Sequence, residues 1–195
     1  MARFFTADLH LGHTNVIAYC DRPFANVGQM NAALVAAWNT VVGADDEVWV
    51  LGDLAMGRVD ESLAVASHLL GHKHLLVGNH DKPFHGRAIE QYEAAGFELH
   101  YDQMELALPG GLLVLACHFP YQGDSHDHDR YRERRPADEG AWLLHGHVHE
   151  RWRQRGRMIN VGVDAWGGYP VTETHLARLV EAGESDLRPQ PWTWP

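Results

Sequence analysis

Short apolar runs that stop abruptly at polar residues recur along the chain. Residues 3–7, 47–51, 74–77, 112–117, 142–144 and 158–161 are each largely apolar, and Gly, Asp, Asn or His bounds them. Continuous apolar runs of this length read as strands buried on both faces. A further pair, 98–101 and 104–108, reads as antiparallel strands at one side. Between the runs lie helical patterns. Residues 29–41 place Met30, Leu34, Ala37, Trp38 and Val41 on one helical face. Residues 63–70 and 88–95 read as helices, the second stopped by Gly96. A last helix spans 172–182, with Thr172 as its cap and Gly183 as its stop.

Strand–helix alternation comes first, then mostly strands, then a helix. That order predicts an α/β fold of two packed sheets flanked by helices. No internal repeat is present. The segment 121–138 is rich in Asp, His and Arg without apolar periodicity, and reads as an exposed loop. The segment 188–195 carries three prolines and two tryptophans and reads as an extended tail, with Trp192 and Trp194 packing on the parent domain. The predicted organisation is therefore a domain over 1–187 followed by the tail.

Composition narrows the class. The 195 residues are 45% apolar and 22% charged, which suits one globular domain and excludes a disordered chain. A net charge of -10 argues against tight non-specific binding to duplex nucleic acid. It leaves a small phosphorylated substrate open, because bound cations invert the local field. The first strand starts directly after Met1, which leaves no room for a signal peptide, and no apolar run reaches the length of a membrane span. The cysteines are Cys20 and Cys117, with no CxxC pair, which argues against a disulfide framework or a zinc–thiolate site. The expectation is a cytoplasmic protein with no membrane contact; no protein partner is inferable.

The chemistry sits where the strands stop. Asp8-Leu9-His10 follows the first run, Gly52-Asp53 the second and Gly78-Asn79-His80-Asp81 the third. His118 follows the fourth and Gly146-His147-Val148-His149 the fifth. Polar residues at several strand ends are what an active site along one sheet edge requires, and glycines there allow close backbone approach. Cys117 faces away from His118 by strand alternation and reads as core. Asp124-Ser125-His126 repeats the Asp-x-His spacing but has no strand before it, so it reads as loop polarity. Any one of these motifs has a bland explanation; their ordered set does not.

With those motifs in place, the chain resembles the calcineurin-like metallophosphoesterase superfamily over most of its length. It is most similar to the small bacterial and phage phosphoesterases. Their first motif continues as Gly-His-x-Asn, here Gly12-His13-Thr14-Asn15, followed by Asp21-Arg22-Pro23-Phe24. The stretch Asn160-Val161-Gly162-Val163-Asp164 also matches that subgroup. The resemblance implies a four-layer α/β/β/α sandwich of two mixed sheets. It implies one divalent metal ion on Asp8, His10, Asp53 and His149, and a second on Asp53, Asn79, His118 and His147, with Asp53 bridging. It also implies in-line attack by a hydroxide shared between the ions, with His80 as general acid on the leaving oxygen. An all-nitrogen-and-oxygen donor set independently suits Mn(II), Fe(II), Co(II), Ni(II) or Zn(II), with Mn(II) the first choice.

His13, Asn15 and Arg22 are candidate substrate-phosphate contacts; otherwise Asn15 caps a short helix over 16–20 and Arg22 pairs with a surface acid. His145 reads as a buried neighbour of the ligands. His126 and His128 could overhang the site, and His72, His74, His85, His100 and His175 read as surface or packing residues. Where the superfamily's protein phosphatases read Gly-Asp-x-x-Asp-Arg-Gly, with the second Asp orienting the catalytic His, this chain has Met56. That puts protein phosphatase activity in doubt and favours a phosphodiester, from a nucleotide or an RNA or DNA end. A phosphomonoesterase or polyphosphate hydrolase using the same metals is the alternative, and a catalytically silent scaffold is the alternative of another class.

Overall fold

In the computed structural model, which describes residues 1–193, the apolar runs assemble into two mixed sheets flanked by helices. The first sheet holds β1 (Arg3–Thr6), β2 (Glu47–Val50), β3 (His72–Leu76) and β4 (Phe97–His100), all parallel. The short β10 (Val171–Thr172) runs antiparallel beside β1, giving the order β10-β1-β2-β3-β4. The second sheet is built on parallel β6 (Leu112–Cys117), β7 (Trp142–His145) and β9 (Met158–Asn160). Antiparallel β5 (Gln103–Leu108) flanks β6, and β8 (Gln154–Gly156) and β11 (Ser185–Leu187) complete the far side.

Two apolar layers hold this together. Outside the first sheet, α2 (Val27–Val41), α3 (Val59–Ala66) and α4 (Ile89–Ala94) bury Met30, Leu34, Trp38, Leu63 and Tyr92 against Val48, Val50 and Leu75. Between the sheets, Phe5, Trp49 and Leu76 meet Val114, Ala116, Leu144 and Ile159. The final helix, α5 (Glu173–Ala182), adds Leu176 and Val180 to that inner layer. On the other side of the second sheet, Cys117, Leu143 and Met158 pack with Tyr121 and Tyr131 from the segment 121–138. No helix among the described residues is long and apolar enough to cross a membrane.

Most predicted elements form, and Thr172 caps the last helix as expected. Asn26 accepts the Gln29 N–H at the start of α2, and Thr172 accepts that of His175 at the start of α5. The predicted antiparallel pairing of 98–101 with 104–108 does not occur. The two-residue link Tyr101-Asp102 instead carries the chain from one sheet to the other, and β4 and β5 pair with β3 and β6. Apolar patterning identifies a strand, but its partner is chosen by the packing of both sheets. The helix predicted over 63–70 is displaced to Val59–Ala66, where Asp60 and Glu61 favour its first turn. At the end of α2, Val42 is buried in place of the exposed Val41.

The tail packs on the domain as far as it is described. The Trp192 ring meets Phe24 edge-on at 5.6 Å, and the Gln190 and Thr193 N–H groups donate to the Ala165 and Gly167 carbonyls. Trp194 lies outside the described residues. Trp192→Ala should therefore lower the unfolding free energy by about 1–2 kcal/mol, the worth of a partly buried aromatic side chain. Denaturant titration checks this, and an unchanged midpoint would mean that the contact is energetically idle.

Candidate metal centre

The parallel strands of both sheets end at one edge, and the polar residues that follow them converge there. Past β1 the chain turns sharply: Asp8 and His10 both adopt left-handed backbone conformations, with φ of 57° and 52°. Asp53, His147 and His149 do the same, with φ of 58°, 71° and 50°. Non-glycine residues seldom accept this conformation, and clusters of it mark sites where surrounding structure holds strain for a purpose. Here that structure is the hydrogen-bond ladder, which continues past the strands. The Asp8 N–H donates to Gly52 O, His10 to Asp53 O and Leu11 to Leu54 O, each at 3.0 Å.

The turns after β2 and β3 are tied by one carboxylate. Asp81, fully buried, accepts the N–H groups of Asp53 at 2.8 Å, Leu54 at 3.0 Å and Gly78 at 3.0 Å, with Tyr92 Oη–H at 3.3 Å. Burial, followed by the nearby Asp53 charge, nevertheless lifts its pKa to about 7. Gly52 and Gly78 let these turns touch. A Cβ on Gly52 would lie 2.3 Å from the His118 ring, and one on Gly78 2.4 Å from Asp53 Oδ1.

The sheets are joined by Asp8, whose carboxylate accepts the His147 N–H at 2.9 Å. Val163 N–H donates to Ala7 O in the same seam. Arg22 completes it. The guanidinium is buried, forms a two-pronged pair with Asp164 at 2.8 and 2.7 Å, and donates to the carbonyls of Asp8 and Leu9. Arg22 is thus neither a phosphate contact nor part of a surface pair. With its donors committed, it braces the Asp8 turn from behind.

Inside this frame the donor atoms form two clusters. Ligand atoms of Asp8, His10 and His149 lie within 4.8 Å of one another, as do those of Asp8, Asp53 and His118. Asp53 Oδ2 sits between them, 3.7 Å from His10 Nε2 and 3.5 Å from His118 Nε2. Asn79 Oδ1 lies 3.1 Å from His118 Nε2. Three of the imidazoles are anchored through one nitrogen. His118 Nδ1 meets Leu51 O at 2.8 Å, His149 Nδ1 meets Asp164 at 3.3 Å and His147 Nε2 meets Asp124 at 3.2 Å. A neutral imidazole fixed through one nitrogen presents a lone pair on the other, the usual preparation of a metal ligand. Burial would lower His149, but Asp164 and Asp8 hold it well above its ordinary value, so a bound cation would take the place of its proton.

Burial lifts the Asp8 carboxyl to about 6, with His149 and His118 opposing it. Burial would raise Asp53 as well, but His118 and His80 outweigh it and hold that carboxyl below its ordinary value. Burial pushes His10 well down, keeping the ring neutral, yet neither of its buried nitrogens has a hydrogen-bond partner. Buried polar atoms without partners are rare in native proteins and call for a missing ligand. A neutral imidazole beside two carboxylates and an amide oxygen fits divalent cations.

His80 and His13 line the pocket over these clusters, with ring centres 5.4 Å from that of His10. Tyr19, Cys20 and Met56 form an apolar flank, and Ser125, His126 and Arg130 cover the opposite side. Asn15 is exposed and does not line the pocket, and its side chain makes no cap to α1 (Val16–Tyr19). His145 is buried, as expected, and burial lowers it to about 3.

The segment 121–138 departs most from expectation. It folds back over the pocket, and its Asp124 is buried. Burial alone would raise the Asp124 carboxyl, but hydrogen bonds from His147 and Arg130 hold it well below the carboxylate range. The Asp-x-His spacing in a polar loop gave no sign of this role. Asp164 was legible only as part of a matching stretch; its partners, Arg22 and His149, were not.

Two mixed sheets and a buried carboxylate–histidine centre at their common edge define the class to which this chain belongs. Within it, the chain is a member of the family of mycobacteriophage gene 66 proteins. It is 38% identical to the gene 66 protein of Mycobacterium phage L5 over 184 residues, covering 84% of this chain and 87% of that one. Identity to the phage D29 protein is 35% over 184 residues, covering 84% and 88%. The uncharacterized protein MJ1445 of Methanocaldococcus jannaschii is 27% identical over 190 residues, covering 93% and 92%. Among solved structures, the protein of unknown function AQ665 from Aquifex aeolicus shares the fold, with a TM-score of 0.71 and 24% identity over 91% of this chain and 98% of that one. No family model matches the chain.

Because Asp53 touches both clusters, Asp53→Ala should reduce bound divalent metal more than His10→Ala, which removes a donor from one. Elemental analysis of each variant decides this, and full occupancy in Asp53→Ala would contradict the geometry. Asp81→Ala should also lose metal, although Asp81 faces backbone N–H groups. It should cost about 3 kcal/mol of stability by leaving them unpaired.

Proposed function

We propose that the chain is a metal-dependent phosphoesterase that hydrolyses phosphodiesters of nucleotides or nucleic-acid ends. The observation that carries this is the buried convergence of carboxylates and imidazoles, above all the neutral His10 with both nitrogens unpartnered. Two divalent ions fit these donors, with Mn(II) the first choice. Asp8, His10, Asp53 and His149 would hold one, and Asp53, Asn79, His118 and His147 the other. Such ions supply Lewis-acid activation of water and neutralise charge on the phosphoryl oxygens.

The chain's own residues do the rest. Asp81 and the strand-end ladder hold the donors in place before substrate arrives, so little reorganisation remains at the moment of reaction. His80 lines the pocket but is absent from both donor clusters, and its backbone N–H donates to Asp53 Oδ1 at 2.8 Å. That bond fixes the residue while leaving its ring available to protonate the leaving oxygen. Burial lowers the His80 pKa, with Asp53 opposing. An anionic phosphate beside the ring would raise it again, charging the acid when substrate is present.

The preference for a diester rests on the scarcity of positive charge. Arg130 is the sole arginine or lysine lining the pocket among the described residues, and Asp124 already pairs with it. Arg22 is committed to Asp164, and Met56 stands where an orienting acid would be. A monoanionic diester asks less of such a wall than a dianionic monoester.

With Mn(II) added, kcat/KM on bis-p-nitrophenyl phosphate should exceed that on p-nitrophenyl phosphate. A tenfold advantage for the monoester would overturn the diester assignment, and no turnover of either with any metal would remove the phosphoesterase reading. His80→Ala should lose ~100- to 10,000-fold on alkyl or nucleoside diesters, whose leaving groups need a proton, and much less on nitrophenyl diesters. Metal content should stay unchanged. Equal losses on both substrates would assign His80 to phosphate positioning instead.

A further inference from the structure

A second cluster of metal-type donors lies outside the pocket, on the inward face of the first sheet. His74 on β3 pairs in register with Trp49 on β2 and Glu98 on β4, and His100 follows Glu98 by two residues. Directly paired and alternate strand residues share a face, so all four side chains project together. His74 Nδ1 and His100 Nε2 face each other at 3.1 Å. Glu98 meets both, with one oxygen 3.5 Å from His74 Nδ1 and the other 3.5 Å from His100 Nε2.

These separations match a coordination polyhedron. A tetrahedral ion with ligand bonds of about 2.0–2.1 Å places its donors about 3.3–3.4 Å apart. Support for the ligands is also present. Trp49 stacks on the His74 ring at 4.4 Å with planes 11° apart, which fixes the orientation of the imidazole. Behind it, His74 Nε2 faces Glu47 Oε1 at 3.8 Å, and that oxygen accepts the Trp49 indole N–H at 2.5 Å. A carboxylate behind a ligating histidine orients the ring and raises its basicity. The two rings are about one-fifth exposed, leaving a fourth position open to water.

We propose that His74, His100 and Glu98 form a separate zinc site that ties the edge strand β4 to β3. The proposal is independent of the phosphoesterase reading, since none of its residues lines the pocket. The ion is a cross-link here. Binding only the folded chain, it stabilises the edge of the sheet in proportion to its concentration. A hydrogen bond between two neutral histidine tautomers is the competing account of the 3.1 Å contact.

Zinc titration of chelator-stripped full-length protein separates the two accounts. Calorimetry should show one ion fewer per chain in His74→Ala/His100→Ala than in the wild type, with the remaining zinc-binding steps unchanged. Glu98→Gln, a milder change on an exposed side chain, should weaken that one binding step at least tenfold. In the wild type, excess zinc should shift the Trp49 indole resonance and raise Tm; in Glu98→Gln at the same concentration it should do much less. Identical isotherms and identical zinc-induced Tm shifts in all three proteins would overturn the proposal and leave the histidine–histidine hydrogen bond.

Discussion

The Asp81 carboxylate is the contact on which the rest of the centre depends. It gathers backbone N–H groups from the turn after β2 and from the turn after β3. Those turns carry Asp53, Asn79 and His80, so one buried side chain sets three polar residues of the centre relative to one another. Burying a carboxylate is costly, and only donors aimed at it make the cost bearable. In return the Asp53 turn keeps its left-handed backbone, which an unsupported aspartate would seldom adopt.

The same logic joins the two sheets. An interface between sheets is mostly apolar and cannot by itself fix distances among ligands to a few tenths of an ångström. At the functional edge the apolar layer gives way to directed bonds, from His147 N–H to Asp8 and from Arg22 to Asp164 and the Asp8 carbonyl. Asp164 then reaches His149, and Asp124 reaches His147. The polar groups that face the pocket are held by polar groups behind them.

Much of this was legible in the chain. Short apolar runs ending in Asp, Asn and His marked the strands and their functional ends, because a buried parallel strand has few other ways to read. Asp8, His10, Asp53, His118 and His149, which the motifs named, meet at the sheet edge, whereas His147 turns its Nε2 to Asp124. What stayed hidden depends on distant partners. Nothing local to Arg22 announces a buried pair with Asp164, 142 positions away. Asp124 looked like loop polarity because its loop has no periodicity, yet the fold turns it onto His147. The partners of 98–101 and 104–108 were likewise decided by the arrangement of two sheets. His74 and His100 gain meaning only once β3 and β4 are seen side by side.

This sheet edge is proposed to hold divalent cations on the strand-end donors. Anomalous diffraction at the manganese edge, from crystals grown with Mn(II), tests it directly. Two peaks are expected, one among Asp8, His10 and His149 and one among Asn79, His118 and His147, with Asp53 touching both. Crystals saturated with Mn(II) that show no anomalous density at these residues would contradict it.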